Sequence, residues 1–399
     1  MRLLLATTIL IAAFNAACEA ASPNGAPPAT TTARSPSSAD IQASIDVARD
    51  GDTVSVPAGN ATWTSNVTLP ANKGIRLIGA GAGNTNITLG PYRLTLQTRE
   101  SNAPVRVSGF RFINGPGSAL TINSRNVGAK NWRIDHCEWV DNAPIAIMVS
   151  GYTWGLIDNC NFPNIERAIF VEFRCDGQDY GVPGDHSWAQ PITMGGPDAV
   201  YIEDCYFNNT ISYPGQVIDT RAGGRYVFRH NTVRGWMGVE THSGCTPGFR
   251  NPRWVEIYEN DFDVSPASRW LAVWFRATNG VCFNNTFKGD YTDPIQFDYE
   301  MACPRPEACA SPWPAAGGLI YPAQDQIGVG RSTRGWGSSQ ALDEAKLWIW
   351  GNTHDGRPTA PLFTNCDAST QLIQFGRDYF LSAPPNYAPY AYPHPLRNN

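Results

Sequence analysis

The heptapeptide GVETHSG, residues 238–244, sets a carboxylate and an imidazole two positions apart in a chain with 16% charged residues and only six histidines. If the segment is a strand, alternation puts Glu240 and His242 on one face. An unperturbed imidazole titrates at about 6.5, so a histidine held beside a carboxylate is a candidate general base near neutrality. The same spacing recurs in QVIDTR, which offers Asp219 and Arg221, and in LAVWFR, which offers Trp274 and Arg276. Such pairs do chemistry together only if the chain stacks these strands.

A repeat supplies that stacking. The segments VSGFRF, IDHCEW, IDNCNF, IEDCYF, FRHNTV, IYENDF, CFNNTF and IWGNTH share one pattern, centred on Phe110, Cys137, Cys160, Cys205, Asn231, Asn260, Asn285 and Asn352. Most spacings are near about 25 residues, the length of one coil of a strand-and-turn solenoid. The two longer gaps, after Cys160 and after Asn285, need an insertion or an extra coil. Equivalent Asn and Cys side chains would stack about 4.8 Å apart along the axis.

The strand before each central residue carries the candidate site. Alternation gives inward pairs Ile147 and Val149, Val171 and Phe173, Ile218 and Thr220, Val239 and Thr241, Val273 and Phe275, Ile295 and Phe297. One outward column then reads Met148, Glu172, Asp219, Glu240, Trp274, Gln296, and its neighbour Ser150, Arg174, Arg221, His242, Arg276, Asp298. Exposed acid–base pairs on a solvated sheet contribute only about 0–1 kcal/mol and imply no chemistry by themselves. Here, however, insertions near 176–199 and 243–253 flank the columns, with a third near 300–345, and loops on a rigid stack are where sites are built. Trp188, Trp236 and Trp270 are available to stack on sugar rings. Cys175 and Cys245 open the first two loops and could be bridged. A second outward column, Asp135, Asp158, Glu203 and Arg229, has no flanking loops and reads as structural.

The opening ADIQASIDVARDGDTVSVPAGNATW, followed by VTLPANKGIRLIGAG, resembles the entry of the right-handed parallel β-helix of the pectin-lyase-like superfamily. The resemblance covers roughly residues 39–395. It implies an all-β, single-stranded right-handed solenoid, with IQASIDVA as an N-terminal capping helix and DTVSVPAG as the first strand and turn. It also implies an extracellular polysaccharide substrate lying in an outward groove along one sheet.

Two chemistries compete in such a groove. A lyase must neutralise a uronate carboxylate, abstract the adjacent carbon-bound proton and protonate the leaving oxygen. His242 is the first candidate base and Arg221 the second, with Arg276, Glu240 and Asp219 completing the catalytic set. The neutraliser could be an arginine, or a calcium ion held by Glu172, Asp219 and Glu240. Arg174, Glu172, Trp274, Trp188 and Asp298 are the candidate substrate contacts, and Tyr180 or water the acid. A hydrolase would instead use a carboxylate pair, Asp219 with Glu240 or Glu172 with Glu240. The interleaved arginines favour an anionic substrate. Polygalacturonase motifs (Asn-Thr-Asp, Asp-Asp, Gly-His-Gly) are absent, as is the Arg-x-Pro-x-x-Arg segment of pectate lyases. A third reading is a groove that binds glycan without cutting it.

The totals agree with this class. A net charge of −5 leaves no basic footprint for nucleic acid. Residues 1–20, with Arg2, an apolar run and small residues, read as a secretory signal too short to span a membrane. NAAC also approaches a lipoprotein signal with Cys18 as the anchor. Residues 21–38 are expected to be a disordered Pro/Ser/Thr linker, and 39–399 one β-helix domain acting as a secreted monomer. Export permits disulfides, of which Cys303–Cys309 is the easiest local pair.

Overall fold

The computed structural model describes residues 27–98, 103–115, 117–124, 129–141, 145–173, 183–209, 215–235, 237–242, 250–276, 278–298, 325, 327, 346–364 and 373–398. Their strands form three sheets of twelve, eleven and ten members, each adding one strand per coil in parallel, apart from the antiparallel pair Thr353–His354 and Arg357–Pro358 that ends the eleven-stranded sheet. The chain is therefore an all-β parallel solenoid. Among the described residues no helix is long and apolar enough to cross a membrane.

The turn that generates the coil is visible residue by residue. Gly109, His136, Asn159, Asp204, His230, Glu259, Asn284 and Gly351 all have φ between 50° and 79°. Each immediately precedes one of the repeat centres. A single left-handed residue thus swings the chain from the twelve-stranded to the eleven-stranded sheet, a conformation that Asn, Asp and Gly tolerate best.

The repeat centres then stack. Asn231 Oδ1 accepts from Cys205 N at 2.9 Å, Asn260 Oδ1 from Asn231 Nδ2 at 3.1 Å, Asn285 Oδ1 from Asn260 Nδ2 at 2.9 Å, and Asn352 Oδ1 from Asn285 Nδ2 at 2.9 Å. Both long gaps are insertions, since Asn161–Pro163 pairs with Tyr206–Asn209 and Thr286 with Thr353. Inside the coil, Phe112, Trp139, Phe162 and Phe207 stack at 4.8–5.7 Å between ring centroids.

The helix Ser38–Val47 lies where IQASIDVA was expected, its N-terminus closed by Ser37 Oγ accepting from Asp40 N. Ile41 and Ile45 are fully buried, and Gln42 bonds both backbone groups of Thr68. The linker expectation for 21–38 needs correction at its end. Thr30–Thr32 is a strand paired with Thr53–Ser55, so the stack recruits the last part of that segment to cover its first edge.

The second outward column is in register as expected, Asp135 beside Asp158, then Glu203, then Arg229. It is buried because the C-terminal tail lies across it. Arg229 pairs with Glu203 at 2.7 Å and donates to the carbonyls of Tyr390 and Ala391, while Arg397 reaches Glu203 at 2.8 Å. The tail lies across the middle of the sheet, where Arg397 and the backbone of Tyr390, Ala391 and His394 add partners to the buried ion pairs of this column.

Four cysteines, Cys137, Cys160, Cys205 and Cys282, are buried thiols at or beside the repeated turn. No disulfide is found among the described residues. Cys18, Cys175, Cys245, Cys303 and Cys309 lie outside them, and so do the anchor and both bridges expected from the sequence.

Candidate functional site

The ten-stranded sheet carries the charged columns. The strand Gly215–Arg221 pairs with Met237–Thr241, with Ile218 opposite Val239, and Val239, Glu240 and Thr241 face Val273, Trp274 and Phe275. Asp219, Glu240 and Trp274 therefore occupy successive rungs, as alternation indicated. Ile218, Val239 and Val273 point into the core with no exposure and fix that register.

Glu240 and His242 do share a face. His242 Nδ1 lies 3.1 Å from Glu240 Oε1 and 3.3 Å from Asp219 Oδ1, one rung away. Its backbone N–H is held by Thr220 O at 2.9 Å, which fixes the Cα beneath the ring. Both carboxylates are about 2% exposed, whereas the histidine side chain is 29% exposed. The imidazole is the member of the cluster that solvent and substrate reach.

The remaining carboxylate oxygens are held from behind. Arg167 Nε lies 3.2 Å from Asp219 Oδ2 and donates to Gln216 Oε1 at 2.7 Å. Gln216 in turn donates to Glu240 Oε2, and Arg276 stands 3.3 Å from Glu240 Oε1. Burial works to raise the Asp219 carboxyl, but the His242 contact and the charges of His242, Arg167 and Arg221 outweigh it and hold it below the ordinary range. Asp219 is therefore ionised, and an anion facing Nδ1 favours the proton on that nitrogen. That leaves Nε2 as the basic ring position, the arrangement by which a carboxylate orients a catalytic imidazole.

One coil departs from the expected register. Val171 pairs with Thr220 and Glu172 with Arg221, so Ile169 and Val171 are the inward pair and Phe170 stands beside Asp219. Glu172 belongs to the column of Arg221 and is ion-paired with it at 3.0 Å. Apolar residues at 169, 171 and 173 satisfy alternation equally, so the pattern fixes which parity faces inward but not the offset of two. Arg167 and Gln216 were missed for the same reason, because the correct offset brings them together.

Trp188 is corrected more fully. It sits in a short helix, Asp185–Ala189, and is 2% exposed. Its indole N–H donates to Asn251 O at 2.8 Å, while the guanidiniums of Arg250 and Arg253 lie 4.2 and 4.6 Å from its ring. Its contacts tie the loop to the coil. Arg174, Tyr180 and Trp236 lie outside the described residues, as does the side chain of Asp298, whose strand pairs with Leu362–Thr364.

A cation could also be held here. Asp219, Glu240 and His242 each offer one ligand atom, all within 4.8 Å of one another. Asp219 Oδ1 and Glu240 Oε1 are buried, and besides the His242 Nδ1 contact of each and that of Arg276 with Glu240, no hydrogen bond among the described residues takes up their lone pairs. Two oxygens and one nitrogen suit a first-row divalent ion better than calcium, which takes six to eight oxygens. The calcium set expected from the sequence is not assembled, since Glu172 is turned to Arg221.

Fold and site together define a parallel β-solenoid with a histidine-centred, arginine-flanked face on one sheet. No protein-family model matches the chain, and no curated protein matches it. Among solved structures it is similar to an alginate lyase from Paenibacillus sp. str. FPU-7, at 12% identity over 84% of this chain and 98% of that one, with a TM-score of 0.48. A PL6 family polysaccharide lyase from Pseudopedobacter saltans is also 12% identical, over 91% and 97%, with a TM-score of 0.46. The catalytic domain of a GH87 α-1,3-glucanase is 10% identical over 91% and 69%, with a TM-score of 0.34. The choice between lyase and hydrolase chemistry rests on the site itself.

Proposed function

We propose that the protein is an extracellular polysaccharide lyase that cleaves a uronate-containing chain by β-elimination. The observation that carries this is His242, exposed on the sheet while its Nδ1 faces two buried carboxylates. In this reading Asp219 and Glu240 orient the ring and Nε2 removes the proton beside the uronate carboxylate. Arg221, one rung away and 36% exposed, neutralises that carboxylate and stabilises the negative charge that develops on it, while Arg276 on the other side stays with Glu240. The electron pair left on carbon forms the new double bond as the glycosidic oxygen departs, taking a proton from water or from a loop tyrosine such as Tyr180.

A hydrolase is less well served. It needs two carboxylates that reach the glycosidic oxygen and the anomeric carbon. Asp219 and Glu240 are both buried, and each is engaged by the same imidazole nitrogen and by a basic or amide group behind it. We also take the coil to be right-handed, the usual sense of parallel crossovers, the helix Ser38–Val47 to cap it, and the secreted chain to act as a monomer.

The test is a panel of alginate, polygalacturonate, glucuronan, ulvan and glycosaminoglycan polymers, read by the ultraviolet absorbance of the unsaturated product. Its appearance with one polymer supports the lyase. New reducing ends without it would make the protein a hydrolase, and binding with neither would make it a glycan-binding solenoid.

A further inference from the structure

The rung beyond Glu240 carries no acid. Trp274 faces Glu240 directly, and Gln296 faces Trp274 on the next strand. Trp270, just upstream, meets Trp274 edge-on, with ring centroids 4.7 Å apart and planes at 73°. The Arg276 guanidinium lies 3.4 Å from the Trp274 ring centroid while its NH2 stands 3.3 Å from Glu240 Oε1. Trp270 remains 36% exposed, a large amount for an indole this close to a buried ion-pair cluster.

The backbone holds that indole in place. The carbonyl of Trp270 accepts from Gln296 Nε2 at 2.8 Å and from the backbone N–H of Asp293 at 3.0 Å. Both bonds fix the main chain from which the indole projects. The corner thus joins a fixed, exposed apolar ring to a guanidinium that already spans two rungs.

We propose that Trp270 and Arg276 form a sugar subsite one coil beyond the reacting centre, which receives a uronate. Its ring face stacks on the Trp270 indole, and its carboxylate is drawn to this rung by the positive charge of Arg276, which lies just beneath the surface at 4% exposure. This rests on the lyase reading for the location of the reacting sugar. One coil advances about 4.8 Å along the axis, close to the length of one pyranose unit in an extended glycan. A chain lying along the sheet with one sugar at His242 therefore presents its next sugar to this corner. Trp274, pressed between Arg276 and Trp270, sets the angle of the platform and is a positioning residue.

Affinity electrophoresis of the full chain in gels containing alginate, polygalacturonate or glucuronan tests the subsite apart from the chemistry. Wild type and His242→Ala should be retarded alike by the polymer that binds. Trp270→Ala should bind about fivefold more weakly and Trp270→Phe should recover most of the loss. Carboxyl reduction of the polymer should abolish retardation, and Trp270→Ala should raise KM while kcat holds. Retardation of folded Trp270→Ala equal to wild type overturns the subsite and leaves the lyase reading intact. The expected binding pattern without unsaturated product overturns the lyase and keeps the subsite as a glycan-binding corner. If none of the three polymers retards the wild type, the subsite falls, and the wider panel decides the lyase reading by itself.

Discussion

His242 Nδ1 and Glu240 Oε1, two residues apart on one chain segment, stand 3.1 Å from each other, and Asp219 Oδ1 joins them from the neighbouring rung at 3.3 Å. The strand geometry alone makes the first contact, because residues i and i+2 project from the same face. The second requires the solenoid. An imidazole held by one local and one non-local carboxylate is therefore a product of coil stacking.

His242→Ala should lower turnover by about 10²–10⁴-fold, the usual contribution of a positioned general base. The ring also compensates two buried carboxylates, so the thermal midpoint should fall, and circular dichroism must show the variant folded at the assay temperature before rates are compared. Steady-state kinetics with the polymer found in the panel checks this. Wild-type turnover in the variant would remove His242 from the mechanism.

Added zinc should inhibit, because occupancy of Nδ1 by a cation shared with Asp219 and Glu240 ties up the imidazole. Chelator alone should leave the untreated enzyme's rate unchanged, and calcium should neither inhibit nor activate. Titration calorimetry with zinc chloride, repeated on Asp219→Asn, gives a readout independent of activity. Loss of activity on chelation would show instead that a cation is required.

The tail over the twelve-stranded sheet should respond to pH through two buried groups of opposite sense. Burial pushes the Glu256 carboxyl up to about 7, against hydrogen bonds from Tyr387 Oη and Gly195 N. Burial, and then the charges of Arg229, Arg397 and Arg133, push His394 down to about 3. The raised Glu256 contributes stability that is full below its unfolded value of 4.5 and lost as pH rises through about 7. The depressed His394 contributes stability that is full above 6.5 and lost as pH falls toward about 3. Their slopes oppose between these unfolded values. In Glu256→Gln only the histidine slope remains, so stability should rise with pH in that window by up to about 1.4 kcal/mol per pH unit more than in wild type. Urea midpoints at a series of pH values measure it, and parallel slopes would refute the assignment.

Asn260→Ala should destabilise by about 2–4 kcal/mol, since it orphans buried groups on both sides of the ladder. Asn260 Nδ2 donates to Phe228 O and to Asn285 Oδ1, and Oδ1 accepts from Asn231 N. Chemical denaturation should show this as a shift in midpoint at unchanged slope. A cost below about 0.5 kcal/mol, typical of surface changes, would mean that the ladder is dispensable.

Much of the fold was legible because each coil repeats one left-handed turn and one ladder residue, a local signal that survives insertions. The candidate site was legible in part. Asp219, Glu240 and His242 fell into adjacent rungs because Ile218 and Val239 leave no alternative inward choice. Glu172 was misplaced because Ile169, Val171 and Phe173 form a uniform apolar run, and a period of two repeats itself after every second residue. Trp188 looked like a sugar contact from composition. Its burial depends on Asn251, Arg250 and Arg253, more than sixty residues away, which no local pattern reveals.

Asn285 passes its amide directly to Asn352, although the two stand 67 positions apart in sequence. Residues 286–298 and 347–350 complete a coil like the others, and the extra length falls between them. The ladder therefore registers a coil by where its turn falls and not by how many residues the coil contains. The pitch of the frame is in this way independent of the length of chain spent between two turns.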